Sequence, residues 1–388
     1  MKVSAHPTLR WQDIGYRRPE WATLAGGGPT FHYTYNARGA LYQLLRAMPQ
    51  PGRRTLLLPA FHCPTVVEPA LRAGWSVRFY RIRQDLSLDL EDLQRQLSTD
   101  VGTILVIHFL GFPTPLDDLL VLRQQFGFYL IEDWAHSFLL GPELHVPGEL
   151  GDFALLSFYK HVPSFAGGAL RVNAPISWSP APDGSVGWRQ TAVIAKRLLE
   201  QAIDNSNGGP LKAIFQSLEK WRVESFRQQS PEGRSLEKPV PQTSYEFSEQ
   251  LAKASVPWLS RKILEAGSWK SIFETRRRNY VFLAEHLEDN PLFRAVHPSL
   301  PAEVCPWAFP VWLPLRSEHD RLLRAQGVPL FTFGEILHPI VDQAPETSRE
   351  DARHLSQHLL LLSVHQNLEL ADMERTTRLV NDFYKGRD

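Results

Sequence analysis

Residues 128–138, FYLIEDWAHSF, and 151–172, GDFALLSFYKHVPSFAGGALRV, decide how this chain is read. FYLIE stops at Asp133, FALLSFY stops at Lys160, and the pair Gly167-Gly168 leads into ALRV. Apolar runs of this length, bounded by glycine and polar residues, read as short strands. An acidic residue and a lysine at the ends of neighbouring strands fit a pyridoxal phosphate site. The lysine would carry the cofactor as a Schiff base, and the carboxylate would hold its pyridine nitrogen protonated.

Upstream, the pattern alternates. ARGALYQLLRAM (37–48) reads as an amphipathic helix and TLLLP (55–59) as a buried strand. Helix TVVEPALRAG (65–74) and strand SVRFYRI (76–82) follow, then helix DLEDLQRQLS (89–98) and strand TILVIHF (103–109). Helix PLDDLLVLRQQFG (115–127) precedes FYLIED. Short strands alternating with helices of about ten residues predict an α/β fold with a mostly parallel sheet covered on both faces. Ligands of such sheets gather beyond the carboxyl ends of the strands. His108, Asp133 and Ser157 sit at such ends, with His108 divided between a cleft and a core reading. Glu132 alternates to the opposite face from Asp133 and reads as structural. The helix opening at Ala37 offers unpaired N–H groups to an anion, with Arg38 as a charged donor.

Downstream of Val172 the pattern changes. Segments 189–203 and 211–226 read as helical, and 227–244 is polar and proline-bearing. Helical signal resumes at Ser248 and from Trp269 through Arg276, Arg277 and Arg278, a basic run read as a solvated face. AFPVWLPL (308–315), LLLLSVHQ (359–366) and a last helix would build a smaller α/β unit. The predicted organisation is an irregular segment 1–30, a large cofactor-binding domain 31–270 and a small C-terminal domain 271–388.

The chain carries 42 basic and 42 acidic residues among 388, so its formal net charge is +0. That balance gives no reason to expect nucleic acid or an anionic membrane as partner. Two cysteines, Cys63 and Cys305, form no disulfide framework, and His32, His62 and His108 have no metal-ligand spacing. The start lacks the apolar core of a signal peptide, and no run nears the ~20 apolar residues of a membrane span. A cytoplasmic protein is the expectation.

Six segments in order resemble the DegT/DnrJ/EryC1/StrS sugar aminotransferases, a family of fold-type-I pyridoxal phosphate enzymes. They are NARGAL (36–41), LLLPAFHCPTVVEPALRAGW (56–75), VIHFLG (106–111), IEDWAHSF (131–138), GDFALLSFYK (151–160) before Gly167-Gly168, and LLSVHQNLELADME (361–374). The resemblance implies that Lys160 holds the cofactor and shuttles a proton, and that Asp133 faces the ring nitrogen. It places Ala37 and Arg38 at the phosphate turn, and makes Ser157 a further phosphate candidate, three positions before the lysine where relatives have five. His136, standing where the family often has glutamine, would reach the 3′-oxygen. Cys63 occupies the place of the family's ring-stacking aromatic, so His62 would take over that face. Glu246 stands where relatives lend an asparagine from the neighbouring subunit. A homodimer is implied, with an amino-acid donor, Glu or Gln, and a ketone acceptor such as a nucleotide-linked keto-sugar. Retention of Lys160 argues against the family's dehydratase branch, which has histidine there. Racemisation, elimination or carbon–carbon chemistry on the same scaffold stays open, because cofactor chemistry leaves sequence little to discriminate. A non-enzymatic relative is disfavoured by the intact Asp133 and Lys160.

Overall fold

A computed structural model describes residues 4–9, 31–48, 52–137, 139–174, 188–204, 247–288, 290–314 and 316–385. The expected helix 211–226 and Glu246 lie outside these residues, as does most of the segment 1–30.

The larger sheet has seven strands, β1 (Phe31–Thr34), β2 (Thr55–Pro59), β3 (Ser76–Tyr80), β4 (Val101–Ile107), β5 (Tyr129–Trp134), β6 (Phe153–Ser157) and β7 (Gly168–Val172). Their order is β1-β7-β6-β5-β4-β2-β3. Strands β2 to β6 pair in parallel, and β7 pairs antiparallel with both β6 and β1. The parallel core follows from the unbroken apolar runs: every residue of β2, β4 and β6 is buried, as strands covered on both faces require. The antiparallel edge follows from the short link between Ser157 and Gly168, too short for a crossover helix.

Helix α1 (Ala37–Ala47) begins beside that edge. Asn36 caps it, its Oδ1 accepting the Gly39 N–H at 2.8 Å. Gly168 is the hinge of this contact. A Cβ there would lie 2.5 Å from the carbonyl carbon of Asn36 and closer still to Ala37 N, so only glycine lets β7 approach the start of α1.

A smaller C-terminal unit holds an antiparallel sheet of β8 (Arg294–Ala295), β9 (Ala308–Trp312), β10 (Leu330–Phe331) and β11 (Leu359–Ser363), ordered β10-β11-β9-β8. The run LLLLS of β11 is wholly buried beside β9. A long helix, Trp269–His286, packs against the last helix, Leu370–Tyr384. The two sheets share one core, in which Trp307, Phe331 and Phe333 join Phe61 and Phe109. Among the described residues, no helix is long and apolar enough to cross a membrane.

Candidate active site

The carboxyl ends of β4, β5 and β6 open towards the start of α1, and a cavity of about 460 Å³ lies there. Asp133, His136, Ser157, Lys160, Ala37 and Arg38 all line it. The structure thus gathers six of the seven residues singled out in the sequence.

Lys160 follows β6 in a tight turn. His161 and Val162 donate their N–H groups to Phe158 O at 2.9 and 3.0 Å, and Phe158 N–H donates to Gly167 O at 3.0 Å. The Lys160 Nζ lies 4.5 Å from the centre of the Trp307 ring and 5.7 Å from that of Phe333. Burial lowers its pKa to about 8, against the opposing charges of Cys63 and Asp133. Ring faces favour the ammonium form, while desolvation favours the amine.

Asp133 is 6 % exposed. Its Oδ1 accepts the Ala135 N–H at 2.8 Å, and its side chain lines the cavity. Burial lifts the carboxyl above its ordinary range, and Lys160 and the Ala135 N–H pull the other way. A buried carboxylate that lines a cavity is suited to a cationic ligand group.

His136 has a fixed orientation. Its Nδ1 accepts the Leu110 N–H at 3.1 Å, so the neutral ring carries its proton on Nε2. That contact uses Leu110 at φ 59°, a left-handed conformation that turns the amide towards the ring. The imidazole stacks on Trp307 at 4.5 Å and meets Phe333 edge-on at 4.6 Å. Burial, then the charges of Lys160 and His161, hold its pKa well below the usual value.

His62 is the residue the structure places elsewhere. It is fully buried, its Nδ1–H donating to Pro59 O at 2.8 Å and its ring stacked 5.4 Å from Phe79. The proline carbonyl and the Phe79 face draw it into the core, and its neighbour Cys63 meets the cavity instead. Cys63 Sγ lies 3.0 Å from Thr65 Oγ1. His108 also belongs to the core. Its Nδ1 accepts the Thr114 N–H at 2.9 Å and its Nε2–H donates to Glu132 Oε2 at 3.1 Å. Glu132 is further satisfied by Trp134 Nε1 and the Gly151 N–H, at 3.0 and 2.6 Å. This network anchors β5 from the face opposite Asp133.

Three contributors were not visible in the sequence. Trp307 and Phe333 reach the lysine from the C-terminal unit, and Phe333 and Arg197 line the cavity, the latter from the helix Trp188–Asp204. Arg276, expected on a solvated face, is 1 % exposed. A periodicity signal existed: Trp269, Ile272, Phe273, Arg276, Tyr280 and Leu283 share one buried helix face.

The site fits pyridoxal phosphate on its own chemistry. An amine of lowered pKa and a buried carboxylate share one cavity with the N-terminal end of α1, where aligned peptide dipoles favour a phosphate.

Residues 33–180 match the model of the DegT/DnrJ/EryC1/StrS aminotransferase family. Over 145 residues the chain is 31% identical to the UDP-4-amino-4,6-dideoxy-N-acetyl-beta-L-altrosamine transaminase of Campylobacter jejuni, a match covering 36% of this chain and 38% of that one. The chain spans less than two fifths of the length of the curated relatives it matches. Among solved structures, Helicobacter pylori PseC, an aminotransferase involved in the biosynthesis of pseudoaminic acid, is similar in fold, with a TM-score of 0.65 at 15% identity over 99% of both chains. The aminotransferase TlmJ from Streptoalloteichus hindustanus aligns with a TM-score of 0.66 at 18% identity over 98% of both. At those identities the likeness speaks to the fold.

Proposed function

We propose, from the premise that this chain belongs to the DegT/DnrJ/EryC1/StrS aminotransferase family, that it moves an amino group from an amino acid, Glu or Gln, to a nucleotide-linked keto-sugar. The observation that carries this reading is the Lys160 amine and the Asp133 carboxylate opening into one cavity at the start of α1. The cofactor is pyridoxal phosphate. When bound it supplies the electron sink that lets a Cα–H bond of the donor break.

The chain's own residues supply the rest. Lys160 Nζ holds the cofactor covalently. Its pKa of about 8 leaves a large neutral fraction near pH 7.5, the form that attacks a carbonyl and accepts a proton. With a donor amino acid bound, the same Nζ would be the base that holds and moves the proton of the donor's Cα. Asp133 holds the pyridine nitrogen in its protonated form, a charge contact strengthened by burial. His136 Nε2–H is a fixed neutral donor for a ring oxygen. The start of α1, with Arg38 and Ser157, receives the phosphate. Trp307 and Phe333 exclude water from Nζ. The relative from Campylobacter is named for a UDP-linked amino-sugar, which supports the choice of acceptor. A homodimer fits the family reading.

The test is sequential. Borohydride reduction followed by peptide mass analysis finds the pyridoxyl group on Lys160, and Lys160→Ala carries none. Glutamate or glutamine then bleaches the bound cofactor's absorbance and leaves pyridoxamine phosphate, which a keto-sugar nucleotide reverses. Racemisation or cleavage of an amino acid, with no pyridoxamine phosphate formed, sinks the aminotransferase reading. Sedimentation at low micromolar concentration shows the dimer; an active monomer removes it.

A further inference from the structure

We infer that Arg276 is a positioning residue for Lys160, its guanidinium clamping the lysine's turn to the segment that carries Trp307. The inference rests on Lys160 being the cofactor's lysine.

Arg276 Nη1 donates to Pro306 O at 3.2 Å and to Trp307 O at 3.1 Å. Its Nη2 donates to Lys160 O at 3.5 Å. One rigid fork therefore ties two segments far apart in sequence, and only a planar group with several donors spans them. The Trp307 so held places its ring 4.5 Å from Lys160 Nζ and 4.5 Å from His136. A second tie reaches the same turn from the C-terminal unit, where Gln366 Nε2 donates to His161 O at 2.7 Å.

Cost argues that the clamp has a purpose. Arg276 is 1 % exposed, and among the described residues it makes no ion pair and its Nε has no hydrogen-bond partner. Burial lowers its pKa to about 10, eased by the nearby Cys305. Desolvating a cation without a carboxylate is expensive, and an apolar side chain of similar volume often serves stability as well or better. What the apolar side chain cannot do is hold three carbonyls from two segments at once. Tyr280, four residues along the same helix, donates its hydroxyl to His297 O at 2.6 Å. Tyr280→Phe gives a control that loosens the helix without removing a tie to the lysine's turn.

The experiment follows the Lys160 amine itself. Full-length chain without added cofactor is acylated by a trace amine reagent across pH 6–11, and labelling at Lys160 is read by peptide mass analysis. Asp133, Cys63, His136 and His161, the groups electrostatically coupled to this amine, are unchanged in each variant. In Arg276→Met, with its fold checked by circular dichroism, the labelling midpoint rises by about one pH unit as water reaches the loosened turn. Its affinity for pyridoxal phosphate, titrated separately, falls at least tenfold. Arg276→Lys keeps the charge but has one donor group, and shows a smaller rise. A folded Arg276→Met with the wild-type midpoint overturns the inference. So does an equal rise in Tyr280→Phe. If neither Arg276 variant folds, the residue is structural and the positioning role is withdrawn. Borohydride trapping of the cofactor on Lys160 is a separate measurement, so failure of the clamp and failure of the cofactor assignment are told apart.

Discussion

Gly168→Ala perturbs cofactor binding through the backbone alone. The new Cβ would stand 2.5 Å from Asn36 C, whereas ordinary contact begins at about 3.4 Å, so close to 1 Å of separation must open between β7 and the start of α1. Both atoms it meets are main chain, which cannot rotate away. Overpacking of this kind costs about 1–3 kcal/mol of stability. In a chain of 388 residues that amounts to a few degrees of melting temperature. The larger effect falls on the phosphate. A donor moved by 1 Å from an ideal hydrogen bond no longer makes one, and a bond to a charged acceptor is worth about 1.5–3 kcal/mol. Affinity for pyridoxal phosphate therefore drops roughly ten- to a hundredfold. Equilibrium titration of the variant with cofactor, alongside thermal melting, measures both. Leu323→Ala is the comparator. It lies on the helix Arg316–Gln326, is fully buried in a core cluster that holds no residue of α1, and loses about 2–5 kcal/mol of packing. If Gly168→Ala melts lower yet binds cofactor within twofold of wild type, or if Leu323→Ala loses as much affinity, the account of the α1 start as the phosphate cradle is refuted.

Asp133→Asn lowers turnover by a hundredfold or more, the several kcal/mol expected when a charge contact to the reacting system is lost. Its melting temperature does not fall, because burial disfavours the carboxylate it removes. Near wild-type turnover at saturating cofactor rules this role out. Acid destabilisation is the other expectation. His62, with a pKa of about 4 when folded against about 6.5 unfolded, takes up its proton only in the unfolded chain between those values. Stability from this residue is complete above pH 6.5 and falls as pH drops, by up to about 1.4 kcal/mol per unit. His62→Gln flattens the slope of stability, measured by denaturant titration, between pH 6.5 and 5. An unchanged slope shows that other groups account for it.

The large sheet was legible where apolar runs were unbroken. TLLLP, TILVIHF and FALLSFY became β2, β4 and β6, with ends shifted by about two residues. Asp133 and Lys160 could be read because a strand end is the one place where a buried run hands a polar side chain to a cavity. Side chains brought by tertiary packing could not. Trp307 and Phe333 follow no local pattern that points to Lys160. His62 failed for a different reason: a histidine's surroundings are set by the Pro59 carbonyl and Phe79, which family position does not specify. Arg276 was readable in principle, since its helical phase places it with Trp269 and Tyr280, but charge outweighed phase in the reading.

The cavity's two walls have separate origins along the chain. Lys160, Asp133 and the start of α1 fall within residues 33–180, the stretch that matches the family model. Arg197 and Phe333, which line the cavity too, fall outside that stretch. Divergence confined to the second half of the chain can therefore redraw which molecules enter while the amine and carboxylate stay untouched. For anyone engineering this scaffold, the helix Trp188–Asp204 and the loop around residue 333 are where selectivity can be altered without rebuilding the chemistry.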